Sequence, residues 1–378
     1  MTDEQQPTNP QIRDPHAPVN LLRDFEPLDI PTVKETPVTL SDIADYDGDP
    51  TDGAHGDDAA KTSGVGRHGM LVEDDPLARR PRVSSRVLCL VLGLLLLAAA
   101  AGVYWFGVHT ETGQSFDDMV EYSFNGLVPG WLAAMLGLGT HLVVLIGSAL
   151  LAVVAAVVAV ARKRWWLLGQ LVVFGVLCFA ASLLKDVLPR PFIIHTKITA
   201  GNSAPSGHTI LAVAAAVALL CAVSRGWRWV AALVGVCWSA FVGMSVVHGQ
   251  WHRPSDVVMA VTLVGGIALI VLAFTRASGM DATGKRRSSA GVQIVGSIAV
   301  TGGALACLYA AYVVWQVAPG LLMSAQWARS GSVAASVIMI VGVVALTFGL
   351  ALVTRQLTAA PLTKLGLVGA PPAPPKRR

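Results

Sequence analysis

Long apolar stretches, separated by short polar or basic segments, occupy most of the chain after residue 86. Each holds roughly 20 residues, which is enough for an α-helix to cross a hydrocarbon layer of about 30 Å. The pattern predicts eight spans, at about 87–108, 133–161, 165–184, 208–224, 229–247, 256–275, 291–315 and 333–354. The second stretch is too long for one upright crossing, and His141 interrupts it, so residues 131–140 are expected to lie at the interface or to tilt. The predicted fold class is an all-α, polytopic helical membrane protein.

Composition and charge divide the chain further. Of 378 residues, 53% are hydrophobic and only 14% are charged, which argues against a wholly soluble protein. Residues 1–75 hold 17 of the 24 acids but five of the 28 bases, so the remainder carries a net charge of +16. A chain of this acidity with few aromatic residues cannot bury enough apolar surface to offset its entropy. Residues 1–85 are therefore predicted to be a disordered acidic tail.

Three further segments follow the acidic tail. They are a six-span core at 86–275, a loop with two additional spans at 276–354, and a basic, proline-rich tail at 355–378. Lys and Arg collect in alternate loops, which by the positive-inside tendency places both tails in the cytoplasm. The loop predicted after the first span instead carries acids and no base: Glu111, Asp117, Asp118 and Glu121.

Polar segments at the outer ends of three predicted spans carry the candidate chemistry. They are Lys185 to Pro191, Pro205 to His208, and His252 to Asp256. Bases in these outer loops run against the orientation tendency, and an anionic ligand at the outer interface would account for them. The segments offer cations, a hydroxyl, backbone amides and two histidines. Such a set is suited to hold and cleave a phosphate ester without a metal or cofactor.

The sequence Pro205-Ser206-Gly207-His208 begins the fourth span, at a helix N-terminus whose amides and dipole attract an anion. Ser206 can cap the helix and donate to a phosphate oxygen, and Gly207 lets the backbone come close. His208 is placed to protonate a leaving oxygen as general acid. The alternative for this tetrapeptide alone is an ordinary turn and cap beside an interfacial histidine.

His252 and Asp256 lie four residues apart across Pro254, on one face of the first turn of the sixth helix. The carboxylate can hold the imidazole tautomer and leave the other nitrogen free to attack phosphorus. Lys185 and Arg190 add charge and a bidentate fork for phosphate oxygens. Taken singly, these residues are better explained as a helix cap, an interfacial histidine, a snorkelling lysine and a turn arginine.

The combination of the three polar segments is far more specific than any one of them alone. Over about residues 133–275 these segments, with Ser245, resemble the ordered motifs of the type 2 phosphatidic acid phosphatase superfamily, the lipid phosphate phosphatases related to vanadium haloperoxidases. The resemblance implies that His252 is a nucleophile forming a phosphohistidine, that Asp256 orients it and that His208 is the general acid. The phosphate would be held by Lys185, Arg190, Ser206 and Gly207.

The sequence departs from the family pattern at two places. Four residues separate Lys185 from Arg190, where the family usually has six, so Lys185 need not reach the phosphate in the same way. Val246 follows Ser245 where the family has an arginine that binds phosphate. Arg253 or Lys197 is our candidate to replace that charge, because each is a base on the same side.

The predicted function is hydrolysis of a lipid-linked phosphate or diphosphate at the extracytoplasmic face, with a membrane lipid phosphate and the bilayer as partners and no nucleic acid. Typical family substrates are phosphatidate, phosphatidylglycerol phosphate and polyprenyl diphosphates. The Ala-, Val-, Gly- and Arg-rich composition is typical of a high-GC, actinobacterial proteome, where a cell-wall polyprenyl carrier would be a natural substrate. A lipid-dependent phosphotransferase, an anion transporter and a catalytically impaired scaffold stay open, as does the oligomeric state.

Overall fold

A computed structural model describes residues 82–196, 201–276, 280–281 and 290–359. Within these residues the chain is helical and contains no strand, so the predicted all-α fold class is confirmed. Most of the predicted acidic tail lies outside the described residues, as do Lys197 and the predicted basic tail beyond residue 359.

The helices are α1 (Val83–His109), α2 (Glu111–Leu127), α3 (Gly130–Gly137), α4 (His141–Ala161), α5 (Trp165–Ser182), α6 (Leu184–Val187), α7 (Gly207–Ala222), α8 (Arg228–His248), α9 (Pro254–Ala273), α10 (Ala290–Leu321) and α11 (Gln326–Ala359). A 3-10 turn at Arg225–Trp227 precedes α8.

All eight predicted spans are helical, and seven of the helices are long and apolar enough to cross a membrane. The remaining predicted span, the fourth along the chain, is helix α7. It has 16 residues, about 24 Å of helix, and is too short for a full upright crossing. It is largely buried against α4, α5, α8 and α9, so neighbouring helices cover what lipid would otherwise contact. The second predicted stretch breaks between α3 and α4, just before His141.

The segment after the first span is the helix α2, whereas a loop was predicted. Its buried apolar residues Phe116, Met119, Val120 and Phe124 share one helix face. Thr110 caps the helix by accepting a hydrogen bond from the backbone N of Gly113 (3.0 Å). This face packs against α11 and α1, so α2 closes one end of the bundle.

The helices α7 and α9 occupy the centre of the bundle, and α1 packs along α9. Gly93 and Gly266 allow this close approach, because a Cβ on Gly266 would lie 2.9 Å from the carbonyl oxygen of Gly93. The N-termini of α7 and α9 meet at one end, where the backbone N of Ser206 donates to the carbonyl of Asp256 (3.2 Å). We call this the site end, because it carries the histidines of the predicted motifs.

The opposite end contains a group of buried or half-buried arginines around Asp281. Arg228 is fully buried and donates to Oδ1 of Asp281 (2.9 Å) and to Oε1 of Gln356 (2.9 Å). Arg164 reaches the same Oδ1 at 3.3 Å. Burial alone would raise the pKa of Asp281, but the charge of Arg228 holds it below its ordinary value. These contacts tie α5, α8 and α11 together.

Candidate active site

The pair His252 and Asp256 lies at the N-terminus of α9, where Pro254 takes the first helical position. Asp256 is fully buried, and its Oδ2 accepts hydrogen bonds from the backbone N of Arg253 (3.0 Å) and Oγ of Ser203 (2.5 Å). Nδ1 of His252 lies 3.4 Å from the same oxygen. The structure therefore brings this predicted pair together and holds the carboxylate in place.

Val246 occupies the position where the family pattern has an arginine. It is fully buried in α8, and its carbonyl accepts hydrogen bonds from the backbone N of Trp251 (3.0 Å) and of His252 (3.3 Å). At this position the chain supplies a backbone contact that holds His252, and no cation.

The Pro205–His208 segment begins α7, as the sequence predicts. Ser206 is the cap: its Oγ accepts hydrogen bonds from the backbone N (3.3 Å) and the hydroxyl (3.0 Å) of Thr209. These hydrogen bonds establish the capping role of Ser206. The side chain is fully buried, and its contact with phosphate stays a prediction. A Cβ at Gly207 would meet no heavy atom within 4 Å, so open space lies beside the first turn of the helix.

His208 is half-buried in the first turn of α7, with its ring centroid 6.1 Å from that of His252. Its Nε2 lies 2.9 Å from Nδ1 of His141, the first residue of α4. The His141 ring stacks on Trp251, with centroids 3.5 Å apart. The two predicted catalytic histidines are thus neighbours, and a third histidine adjoins them.

The backbone around Arg190 is tied down by three other parts of the chain. The hydroxyl of Tyr104 in α1 donates to the carbonyl of Pro189 (2.5 Å), and Nε2 of Gln114 in α2 donates to that of Pro191 (2.9 Å). Nδ2 of Asn202 donates to the carbonyl of Leu188 (2.9 Å). These bonds fix the backbone position from which the Arg190 side chain extends.

The Arg190 guanidinium is the clearest candidate for binding an anion. Its two terminal nitrogens are buried and have no hydrogen-bond partner among the described residues. Burial, followed by the charge of Arg253, lowers the pKa of Arg190 below its ordinary value. The carboxylates of Asp117, Asp256 and Glu121 act in the opposite sense, so Arg190 lies among the charged groups of the site end.

Arg253 and Lys185 differ from Arg190 in their surroundings. Arg253 is fully buried, and its Nη1 donates to the carbonyl of Gly201 (3.1 Å) and to Oγ of Ser203 (3.2 Å). These contacts make it a brace beneath Asp256, and its binding of phosphate stays a prediction. Lys185 is exposed on the short helix α6, and its charge acts on His208.

Two carboxylic acids of α2 complete the site end. Oε2 of buried Glu121 lies 3.7 Å from Nε of Arg253. Asp117 accepts hydrogen bonds from the hydroxyl and the backbone N (3.2 Å) of Ser255. Burial, followed by the negative charge of Asp256, raises the pKa of Asp117 to about 7. The sequence reading missed both acids because it assigned them to a loop.

A signal for these residues was present in the sequence. The apolar residues of 111–127 repeat at helical spacing, which predicts an amphipathic helix whose other residues face partners. His141 follows Thr140, whose Oγ1 caps α4 through the backbone N of Val143 (3.3 Å). A histidine directly after such a cap would lie at the end of a span, where the other motifs also lie.

Among the described residues, no group of three or more His, Cys, Asp or Glu has a metal-binding arrangement.

Comparison with known proteins supports the family resemblance. Residues 164–280 match the family model of the PAP2 superfamily, and this segment contains all the motif residues from Lys185 to Asp256. Comparison with curated proteins and with solved structures finds no match to the chain. The apolar helices and this match together define a multi-pass membrane protein with a phosphatase-type domain. The match bears out, over residues 164–280, the predicted resemblance to the type 2 phosphatidic acid phosphatase superfamily.

Proposed function

We propose that the chain hydrolyses a lipid-linked phosphate or diphosphate through a phosphohistidine on His252. The observation that carries the proposal is the grouping at the site end of three features. His252 is paired with buried Asp256. His208 lies beside His252. The terminal guanidinium nitrogens of Arg190 are buried and have no hydrogen-bond partner among the described residues. A nucleophile, an acid and a cation are the groups that phosphoryl transfer through histidine requires.

The chemistry follows from these positions. Asp256 keeps the proton of His252 on Nδ1, which leaves Nε2 with a lone pair to attack phosphorus. The P–O bond breaks, and the leaving oxygen takes a proton from His208. Arg190 and the first-turn amides of α7 stabilise the charge on the phosphoryl oxygens. Water then cleaves the P–N bond and frees the phosphate.

A lipid substrate is supported by a cleft that reaches Gly207. The cleft has a volume of about 480 Å³ and lies between α4, α5 and α7. Its lining is almost entirely apolar, with Phe174, Phe179 and Leu211 among its residues. A hydrocarbon chain in this cleft would place its phosphate beside the first turn of α7 while the chain stays out of water.

The extracytoplasmic face is the proposed location of the site. Arg162, Arg164 and Arg228 lie at the opposite end of the helices, and the positive-inside tendency places such an end in the cytoplasm. Both chain termini then lie in the cytoplasm. A substrate delivered to the outer leaflet would reach the site without crossing the membrane.

The test is phosphate release by the purified protein in detergent. Phosphatidate, phosphatidylglycerol phosphate and a polyprenyl diphosphate are supplied in turn, with no metal added. We expect release from one of these classes by the wild type and none above background from His252→Ala, because the nucleophile is gone. His195→Ala is the matched control, since His195 is exposed and lies outside the motifs.

Two results would contradict the proposal. Equal release by wild type and His252→Ala would show that His252 is not the nucleophile. Absence of release from every lipid by folded protein would favour a phosphotransferase that lacks its acceptor, or a scaffold. The scaffold is the second candidate because Val246 supplies no cation where the family has one.

A further inference from the structure

His141 contacts the proposed general acid directly, and the mechanism above does not use it. It is the first residue of α4, and its Nδ1 lies 2.9 Å from Nε2 of His208. The flat face of its ring stacks on Trp251, with an angle of 11° between the planes. Trp251 directly precedes His252, so the imidazole is held by the segment that carries the nucleophile.

The distance between Nδ1 of His141 and Nε2 of His208 indicates a hydrogen bond between the two rings. Two imidazole nitrogens 2.9 Å apart share one hydrogen, because two lone pairs at this distance would repel each other. With Nε2 of His208 engaged in this way, its Nδ1 is the ring nitrogen left for a substrate oxygen. The groups whose charges act on His208 are His252, His141 and Lys185.

Burial differs between the two rings in a way that suits proton movement. His208 is half-buried at the start of α7, whereas His141 is exposed. A general acid that has given up its proton must regain one before the next turnover. Exposed His141, in contact with His208, offers a route for protons between His208 and the solvent.

We propose that His141 is a positioning residue that relays protons between solvent and His208, an inference that rests on the proposed function. In the first step, Nε2 of His252 bonds to phosphorus, and the P–O bond breaks. The leaving oxygen takes the Nδ1 proton of His208, whose Nε2 takes the Nδ1 proton of His141. His141 then takes a proton from water at its own Nε2.

The second step reverses the relay and balances the cycle. Water bonds to phosphorus, and the P–N bond breaks with its electron pair returning to His252. The water's proton goes to Nδ1 of His208, while the Nε2 proton of His208 returns to Nδ1 of His141. His141 releases its Nε2 proton to the solvent. Both histidines regain their starting tautomers, and one water is consumed.

A proton relay through His141 and a purely structural role of His141 predict different results for substrates with different leaving groups. An alkoxide or phosphate leaving group needs a proton as it departs, whereas a p-nitrophenolate departs without one. The experiment measures kcat and KM of His141→Gln and His141→Ala with the best lipid phosphate and with p-nitrophenyl phosphate. His195→Gln is the matched control, because this exposed histidine lies outside the motifs.

We expect kcat for the lipid phosphate to fall about tenfold to a hundredfold in both His141 variants, with KM little changed. Turnover of p-nitrophenyl phosphate stays close to wild type. Added imidazole restores part of the lost kcat in His141→Ala, whose side chain leaves room for it, and does not in His141→Gln.

An equal fall for both substrates, or no fall for either, would overturn the relay while leaving the phosphatase intact. Wild-type protein that turns over neither substrate would overturn the proposed function and the relay with it. A KM effect without a kcat effect would make His141 a substrate contact and also contradict the relay.

Discussion

Buried arginines lie at both ends of the helical bundle, and they differ in what their guanidinium groups contact. At the opposite end, the terminal nitrogens of Arg228 are bonded to Asp281 and Gln356. At the site end, those of Arg190 are buried without a hydrogen-bond partner among the described residues. An unbonded buried cation is costly to keep, and a bonded one holds its partners together. Arg228 therefore stabilises the opposite end, whereas Arg190 leaves binding capacity at the site end.

The largest expected effect comes from breaking the brace. Arg228→Met keeps most of the volume but removes the bonds to Asp281 and Gln356, so we expect a loss of about 3 kcal/mol of stability. Thermal unfolding in detergent measures it. Lys163→Met is the control, because Lys163 is exposed and a surface change should stay within about 0.5 kcal/mol. Equal stability of both variants would remove the distinction between the two ends.

Arg190→Gln tests the other arginine. Because Arg190 has no bonded partner among the described residues to lose, we expect unchanged or slightly higher stability, and turnover lower by about a hundredfold. Unfolding and phosphate release are measured on one preparation. A loss of stability as large as that of Arg228→Met would mean that Arg190 is a brace as well.

Asp117 sharpens the comparison through pH, since its pKa is raised to about 7 while that of Asp281 is lowered. A raised carboxyl pKa means that the folded state holds its proton more tightly. The wild type is therefore expected to lose stability as pH rises from about 4 to about 7, by an amount on the order of 1 kcal/mol or more. Asp117→Asn should remove this part of the pH dependence and unfold at higher temperature than wild type at pH 8. Parallel unfolding curves for the two proteins from pH 5 to 8 would contradict the assignment.

The smallest effect is expected at Gly207. A methyl group there meets no heavy atom within 4 Å, so Gly207→Ala should fold normally and enter the space in front of the helix terminus. We expect KM for the lipid to rise severalfold, by no more than about tenfold. Gly302→Ala in α10 is the matched control, because its Cβ is equally unobstructed and lies on a helix outside the motifs. An unchanged KM would show that the substrate does not come close to this turn.

Much of the fold was predictable because lipid requires long apolar helices, and these appear directly in the sequence. The pairing of His252 with Asp256 was likewise predictable from their spacing on the first turn of a helix. The contacts of Arg253 could not be predicted from the sequence, because its partners Gly201 and Ser203 belong to a different loop. Sequence spacing describes neighbours within one helix and carries no information on partners from another.

The helix α2 shows a different limit. Its acids Asp117 and Glu121 suggested a solvated loop, since charged residues are seldom buried without partners. Their partners, Ser255 and Arg253, belong to the start of α9, more than 130 residues later. Only tertiary contact reveals that these acids face inward. His141 was similarly noticed only as an interruption of a span.

The three tethers of the 188–191 segment all end on main-chain carbonyl oxygens, and none involves the Arg190 side chain. These three bonds would remain after the side chain of residue 190 is exchanged. Position 190 should thus accept a photo-crosslinking amino acid without rearrangement of the loop, and light would then attach the protein to whatever lipid occupies the site. A single substitution could in this way recover the natural ligand from a cell membrane and identify it by mass.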